Sequence, residues 1–419
     1  MKKTRFFSSL LLFCLVFALL SPPAFALEAP EITAKSAIIV DLGSGRTIWE
    51  KNADEPRSPA SLTKIMTGLL TVEAVEAGAA DMDEIVTAGA DCRYNMDDSS
   101  STAWIGPGEQ MSCRDLFYCA LVVSANEACN ILASRLSGSI AGFVERMNAR
   151  AAALGCENTH FADCNGLSHE NRTTARELSV ILREALSHED FLAAYTTAYY
   201  DVPATNQSGE RRLVTTDALT ARDSYYSQYG DYYYEYALGA KTGYTRAAGY
   251  CLASVAEKDG VRLLIVVMGC PGPLSGDARE PESFNDTIRL YDWAFDNFSL
   301  RPLFAPDEEI CLVPVAHAPD GGAVLSVRDD PVLLLPADGS EQLDYLVELT
   351  EGPLRAPIAA GAVLGRLTVL VDGQAVGPYD LITRSEIPVA LPSPEDLAPD
   401  LSPLLPWLVS VFGSLGLQP

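Results

Sequence analysis

Basic residues are scarce in this chain of 419 residues, which has 30 lysines and arginines against 56 aspartates and glutamates and a formal net charge of −26. Proteins that bind nucleic acid neutralise phosphates with a basic surface. The acidic balance therefore argues against nucleic acid as a partner. A hydrophobic content of 48% and a charged content of 21% are ordinary for a globular protein, and they exclude a largely disordered chain.

Metal-binding patterns are also missing. The four histidines form no HExxH or comparable cluster, and the ten cysteines include no CxxC pair. Because zinc sites depend on such spacings, we expect no metal and no cofactor. Nine of the cysteines follow residue 26, an odd number, so at least one thiol is expected to stay unpaired or to pair between chains.

The two ends of the chain carry its uncharged apolar runs. Residues 1–26 combine a basic start, an apolar run over residues 6–20 and small residues at Ala24 and Ala26, a pattern that predicts a secretory signal peptide. The run is shorter than the roughly 20 residues that span a bilayer, so we expect export rather than a transmembrane anchor. Residues 401–417 have no charge and fit either a membrane-interface anchor or a self-packed tail; we expect weak peripheral membrane contact through them.

The length suits two domains, and the chain changes character near Arg301. Residues 27–300 read as an α/β domain, in which a hairpin (36–41 and 47–51) and later strands (251–256 and 262–268) bracket a mostly helical insertion. This order predicts an antiparallel sheet flanked by helices, with an all-α subdomain. Helices are expected from about Ser61 to Ala77 and over residues 283–298.

Short β-type runs separated by Asp, Gly and Pro predict a small β-sandwich domain over residues 301–389, followed by a linker and apolar tail over 390–419. The predicted strands are residues 310–315, 323–327, 332–335, 343–349, 363–371 and 379–383.

Ser61 and Lys64, in the stretch PASLTKIMT, are spaced by one helical turn, so a helix beginning there puts both side chains on one face. A serine hydroxyl needs a proton acceptor to act as a nucleophile, and a lysine that burial keeps neutral can supply one. Only five lysines follow residue 26, and one of them follows a serine by three about one time in three by chance. A packed helix with a surface lysine is therefore the plain alternative.

Two further motifs follow in order. Ser124-Ala125-Asn126 stands at a break between helical stretches, where Ser124 alone fits best as a helix N-cap. Lys241-Thr242-Gly243 leads into strand-like sequence and places a cation at a strand edge. Together the three motifs supply a nucleophile, an amine base, a second hydroxyl with an amide, and a cation for a carboxylate, which a serine acyltransferase without histidine requires.

With these motifs the sequence resembles the low-molecular-mass penicillin-binding proteins, the serine-type D-Ala-D-Ala carboxypeptidases. The resemblance runs from about residue 37 to 383 and includes KTGYT and AGYC within residues 241–251 and LRAPIAAGAVLG at 354–365. It implies the penicillin-binding and serine β-lactamase-like fold. It also implies removal of the terminal D-alanine from peptidoglycan stem peptides through an acyl-enzyme, with β-lactam antibiotics as covalent inhibitors, at the cell envelope.

The resemblance assigns roles to individual residues. It implies Ser61 as nucleophile, Lys64 as general base and Ser124 as proton relay. It implies substrate contacts from Asn126, Lys241, Thr242 and Gly243, and oxyanion donors at the backbone N–H groups of Ser61 and Tyr244. By a loose match, it implies Arg279 as a ligand of the terminal carboxylate. A β-lactamase leaves residues 302–389 unexplained, and a silent scaffold is expected to have lost Ser61 or Lys64. The sequence does not decide between a carboxypeptidase and a D,D-endopeptidase.

Overall fold

The computed structural model describes residues 27–274, 276, 278–305, 307–350 and 352–390. Within that range the chain divides into two compact units: residues 27–301 with Leu333–Glu341, and Pro302–Val332 with residues 342–390. The predicted signal peptide and the apolar tail lie outside the described residues. No helix within the described ranges has the length and apolar character needed to cross a bilayer.

The first unit is built on five strands, β1 (Ser36–Asp41), β2 (Thr47–Lys51), β7 (Ala237–Thr245), β8 (Gly249–Lys258) and β9 (Val261–Cys270). They form an antiparallel sheet in the order β2-β1-β9-β8-β7. Alternate side chains of a strand face opposite sides of its sheet. Accordingly, Ile38 and Val40 join one core cluster and Ile39 joins another. Strand β7 is left at the edge of the sheet, with one side unpaired in the sheet.

Helices cover both faces of this sheet. They are α1 (Lys64–Glu76), α2 (Cys113–Val122), α3 (Asn126–Ser137), α4 (Ile140–Ala153), α5 (Ala175–Ala185), α6 (Glu189–Tyr195) and α7 (Glu282–Asn297). Helix α7 packs on β8 and β9 from one side, and α5 packs on β1 and β9 with the other core cluster. The predicted fold class and the predicted helical insertion are confirmed.

The insertion also contains two short antiparallel pairs, β3 (Ile85–Thr87) with β4 (Gln110–Ser112), and β5 (Tyr199–Val202) with β6 (Arg211–Val214). These strands are not evident in the sequence, because runs of three or four residues give little period-2 signal. Side-chain caps begin several helices: Ser112, Ser139 and Thr174 each accept a hydrogen bond from the backbone N–H three residues on.

The nine described cysteines form no disulfide with one another, and eight of them are buried. Burial raises the pKa of the Cys113 and Cys251 thiols to about 11. A thiol that stays protonated is a poor nucleophile, so these cysteines act as small apolar core residues.

The second unit holds five strands, β11 (Cys311–Pro314), β12 (Gly322–Val327), β14 (Leu343–Leu349), β15 (Val363–Val371) and β16 (Gln374–Ile382). They form an antiparallel sheet in the order β11-β12-β16-β15-β14. The predicted strand at residues 332–335 exists as β13 (Val332–Pro336), but it pairs with β10 (Phe298–Pro302). The reason is burial, since Leu334 joins the core cluster of the first unit.

Candidate active site

Ser61 lies in a single 3₁₀ turn, Ala60–Thr63, and Lys64 is the first residue of α1. The Lys64 Nζ donates to Ser61 Oγ at 2.9 Å, to Asn126 Oδ1 at 2.8 Å and to the backbone oxygen of Asn165 at 2.6 Å. Lys64 is fully buried, and this burial lowers the pKa of its amine, although the Asp163 carboxylate acts in the opposite direction. A buried amine with a lowered pKa, bonded to a serine hydroxyl, can accept the hydroxyl proton.

A second serine and lysine pair lies beside the first. Ser124, between α2 and α3, has a φ of +61° and its Oγ accepts from Lys241 Nζ at 2.9 Å. The N-cap interpretation of Ser124 is therefore wrong: the cap position of α3 is Ala125, and the Ser124 hydroxyl is bonded to a lysine instead. Burial, followed by the charge of Lys64, lowers the pKa of Lys241 well below its usual value.

Asn126 extends the first pair. Its Oδ1 accepts from Lys64, while its Nδ2 and backbone N–H both donate to the backbone oxygen of Ser101, at 2.9 and 3.0 Å. These bonds fix the amide orientation and hold the loop that contains Ser101 against the start of α3. The structure thus brings Ser61, Lys64 and Asn126 into one hydrogen-bonded group and Ser124 and Lys241 into a second. The two groups lie close enough for the charge of Lys64 to lower the pKa of Lys241.

Strand β7 passes directly beside Ser61. A Cβ placed on Gly243 would lie 3.2 Å from the Ser61 nitrogen and 3.0 Å from the Pro59 oxygen, so this close approach favours glycine. Thr242 Oγ1 donates to Thr216 Oγ1 at 2.7 Å, and Tyr244 follows on the same strand. The predicted KTG residues therefore border the serine at the sheet edge.

Sequence reasoning missed the loop that supports Ser61 from the other side. Gly166 has a φ of +92°, and a Cβ there would lie 2.0 Å from the oxygen of Ala60, which itself has a φ of +49°. Asp163 holds this loop by accepting from the Gly166 N–H at 2.8 Å and from Asn171 Nδ2 at 2.6 Å. The sequence Asp-Cys-Asn-Gly signalled a turn, and only the fold brings it to the serine.

Carboxylates near these residues accept hydrogen bonds from backbone N–H groups. The buried Glu127, next to Asn126, accepts at Oε1 from Thr102 Oγ1 at 2.5 Å, from the Ala103 N–H at 2.8 Å and from the Ile105 N–H at 3.2 Å. Among the described residues, no carboxylate is hydrogen-bonded to the side chain of Ser61 or Lys64.

Arg279 is exposed, and within the described part of the chain no hydrogen bond or ion pair joins it to Lys241 or Thr242. One group in that part could hold a metal ion, formed by Glu73, Glu184 and His188. Arg150 forms ion pairs with both carboxylates of that group, and Glu73 lies near the end of α1 opposite Lys64.

A serine hydroxyl hydrogen-bonded to a buried amine, beside an antiparallel sheet covered by helices, is an arrangement suited to a serine peptidase that uses lysine in place of histidine. Comparisons with known proteins agree. Residues 23–272 match the family model described as D-alanyl-D-alanine carboxypeptidase, and residues 298–389 match that of the penicillin-binding protein 5 C-terminal domain. The chain belongs to the D-alanyl-D-alanine carboxypeptidase family, and it is a hydrolase.

The similarity to individual proteins covers both units. D-alanyl-D-alanine carboxypeptidase DacF of Bacillus subtilis is 28% identical over 90% of this chain and 94% of that protein. DacC of Escherichia coli is 29% identical over 88% of this chain and 89% of its own length. The crystal structure of penicillin binding protein 5 from Haemophilus influenzae superposes with a TM-score of 0.67 at 26% identity, covering 87% of this chain and all of that one. The predicted family is confirmed.

Proposed function

We propose that this protein removes the terminal D-alanine from peptidoglycan pentapeptides through an acyl-enzyme on Ser61. The observation that carries the proposal is the 2.9 Å hydrogen bond between Ser61 Oγ and the buried Lys64 amine. Neutral Lys64 would take the hydroxyl proton as Oγ attacks the carbonyl carbon of the penultimate D-alanine. The peptide bond then breaks, and water later hydrolyses the ester to return Ser61 to its starting state.

The remaining residues divide the other tasks. Backbone N–H groups of Ser61 and Tyr244 would stabilise the oxyanion, because donors fixed where charge develops lower the barrier most. Ser124, bonded to Lys241, would pass a proton to the departing amine. Asn126 would hold the substrate amide. Lys241, Thr242 and Gly243, with Arg279 as a looser candidate, would receive the terminal carboxylate.

The same residues help to distinguish the proposed activity from three alternatives. A β-lactamase needs a carboxylate that activates the deacylating water, and no described carboxylate is bonded to Ser61 or Lys64. A silent scaffold does not require a paired serine and lysine. A D,D-endopeptidase would use the same residues on a crosslinked peptide, so only a substrate comparison separates it from a carboxypeptidase.

The apolar runs within residues 1–26 and 401–417 support a proposal for where the protein works. We propose that residues 1–26 direct export and are removed, so that the enzyme works in the cell envelope. Residues 401–417 would attach it weakly to the outer face of the cytoplasmic membrane through apolar side chains such as Trp407 and Phe412. β-Lactam antibiotics would then reach and acylate Ser61 outside the cytoplasm.

Labelled penicillin tests the nucleophile, and released D-alanine tests the reaction. We expect one covalent adduct on the peptide that contains Ser61, no adduct in Ser61→Ala, and wild-type labelling in the control Ser58→Ala, which alters a serine on the same stretch. A pentapeptide ending in D-Ala-D-Ala should lose one D-alanine faster than a crosslinked dimer is cut. Label that persists in Ser61→Ala would sink the assignment, and faster cleavage of the dimer would favour the endopeptidase.

A further inference from the structure

Three asparagines form a hydrogen-bonded group behind one of the oxygens that Lys64 contacts. That oxygen belongs to the backbone of Asn165, and it accepts from Lys64 Nζ at 2.6 Å. The side chain of the same residue donates from Nδ2 to Asn95 Oδ1 at 2.9 Å and to Asn130 Oδ1 at 3.2 Å. Within the described ranges, none of these three side chains is hydrogen-bonded to Ser61 or Lys64. We call Asn95, Asn130 and Asn165 the asparagine group.

The partners of the Lys64 amine decide where its lone pair points. Nζ is hydrogen-bonded to three oxygens, which are Ser61 Oγ, Asn126 Oδ1 and the backbone oxygen of Asn165. An amide or peptide oxygen can only accept, whereas a hydroxyl can also donate. A neutral amine has two N–H bonds and one lone pair, so its N–H bonds go to Asn126 and Asn165 and its lone pair faces the Ser61 hydroxyl. The Asn165 oxygen is therefore one of the two acceptors that orient the base.

The amide of Asn130 is fixed in one orientation. Asn130 is fully buried, and its Oδ1 accepts from Asn165 Nδ2 and from Cys164 Sγ, each at 3.2 Å. Its Nδ2 donates to the backbone oxygens of Cys92 and Tyr94, each at 2.9 Å. These bonds use both donors and both acceptor sites of the amide. Asn130 thus presents a fixed acceptor to the side chain of Asn165.

Helix α3 carries both residues that place the two acceptors. Asn126 is its first residue and Asn130 follows one turn later, and residues four apart on a helix share a face. From that face Asn126 Oδ1 contacts Lys64 directly, while Asn130 holds the side chain of Asn165. One helix therefore sets the positions of both acceptors around the amine.

We propose that Asn130 is a positioning residue for the general base. By holding the Asn165 side chain, it keeps the Asn165 backbone oxygen on Lys64 and so keeps the lone pair of the neutral amine directed at Ser61 Oγ. This step rests on the proposed function, in which Lys64 takes the Ser61 proton. Without Asn130 the loop oxygen can move away and the amine can rotate, so the proton acceptor is aligned with the hydroxyl for a smaller share of the time.

Stopped-flow acylation by penicillin tests the positioning, because it separates the dissociation constant of the initial complex from the rate constant of acyl-enzyme formation. In Asn130→Ala the rate constant should fall about 10-fold or more, with the initial dissociation constant unchanged. Asn165→Ala keeps the backbone oxygen but removes the side chain that Asn130 holds, and it should show a similar loss. Since both changes break the same hydrogen bond, the double variant should be no slower than Asn165→Ala alone.

Asn148→Ala is the matched control. Asn148 lies on α4 and holds Phe161, four residues before Asn165 on the same segment. It accepts from the Phe161 N–H and donates to the Phe161 oxygen, both at 2.8 Å. Like Asn130→Ala, this variant should lower the free energy of unfolding in urea, but it should form the acyl-enzyme at the wild-type rate.

Three results would overturn the positioning role: a cooperatively unfolding Asn130→Ala variant with the wild-type acylation rate, additive losses in the double variant, or an equal loss in Asn148→Ala. If Asn130→Ala does not fold, Asn165→Ala tests the same hydrogen bond, and a wild-type rate there overturns the role. A wild-type protein that is acylated but releases no D-alanine contradicts the proposed carboxypeptidase and not the positioning, which is measured on acylation.

Discussion

A methyl group added at Gly166 should disable Ser61 by displacing its backbone. A Cβ there would lie 2.0 Å from the Ala60 oxygen and 2.9 Å from the Ser61 nitrogen, so the peptide between Ala60 and Ser61 has to move. A displacement of about 1 Å at a reacting group can cost about 100-fold in rate. The hydrogen bond from Lys64 Nζ to Ser61 Oγ is 2.9 Å long, so a movement of this size would break it. We therefore expect Gly166→Ala to slow penicillin acylation by about 100-fold.

The stability of Gly166→Ala separates two causes of the expected damage, backbone strain and the steric clash. Alanine at a φ of +92° is strained by about 1–2 kcal/mol, and the clash adds about 1–3 kcal/mol as overpacking. Gly138 supplies the control: its φ is +73°, but a Cβ there meets nothing within 4 Å. Gly138→Ala should show only the backbone strain, in urea unfolding, with acylation unchanged. If Gly166→Ala acylates at the wild-type rate and loses no more stability than Gly138→Ala, the reasoning about the loop is refuted.

Three further predictions concern the base, a buried acid and the tail. Lys64→Arg keeps a charge but cannot supply a neutral amine, so stopped-flow acylation by penicillin should fall at least about 100-fold; a wild-type rate would show that the proton goes elsewhere. Burial raises the pKa of Asp217 to about 6 from 3.8. A raised folded pKa gives stability that is present below pH 3.8 and lost as the pH rises through 6, so wild type should lose about 2 kcal/mol relative to Asp217→Asn between pH 4 and 7 in chemical unfolding; parallel pH curves would contradict this. Truncation after Ile387 should release the protein from membranes with activity on soluble pentapeptide intact, and a full-length protein that never sediments with membranes would disprove the anchor.

The parts of the site that the sequence predicted are those with local spacing. Ser61 and Lys64 are three residues apart, so helical geometry alone relates them, and the period of β7 relates Lys241 to Gly243. Asn165 could not be predicted as a partner of Lys64, because 101 residues separate them and the sequence around Asn165 is typical of an ordinary turn. Only the packing of that loop under Ala60 reveals its role.

Ser124 shows the opposite failure, in which a local rule gave a wrong answer. Serine before a helix usually caps it, but here the hydroxyl is bonded to Lys241, 117 residues away, with the backbone at a φ of +61°. Strain of this kind concentrates at functional sites. The tertiary contact overrides the local preference, and only the Ser124-Ala125-Asn126 motif taken together with Lys241-Thr242-Gly243 indicated it.

The return of residues Leu333–Glu341 to the first unit has a consequence for the order of synthesis. Arg46 donates to the backbone oxygen of Leu334, Ala337 donates to that of Asn297 at 2.8 Å, and Arg301 pairs with Glu341. A chain emerging from the ribosome cannot complete the core beneath α7 until these residues appear, about 40 positions after β10 begins. Part of the second unit is therefore made before the first is finished, and a chain cut at residue 301 would expose the apolar surface that Leu334 covers.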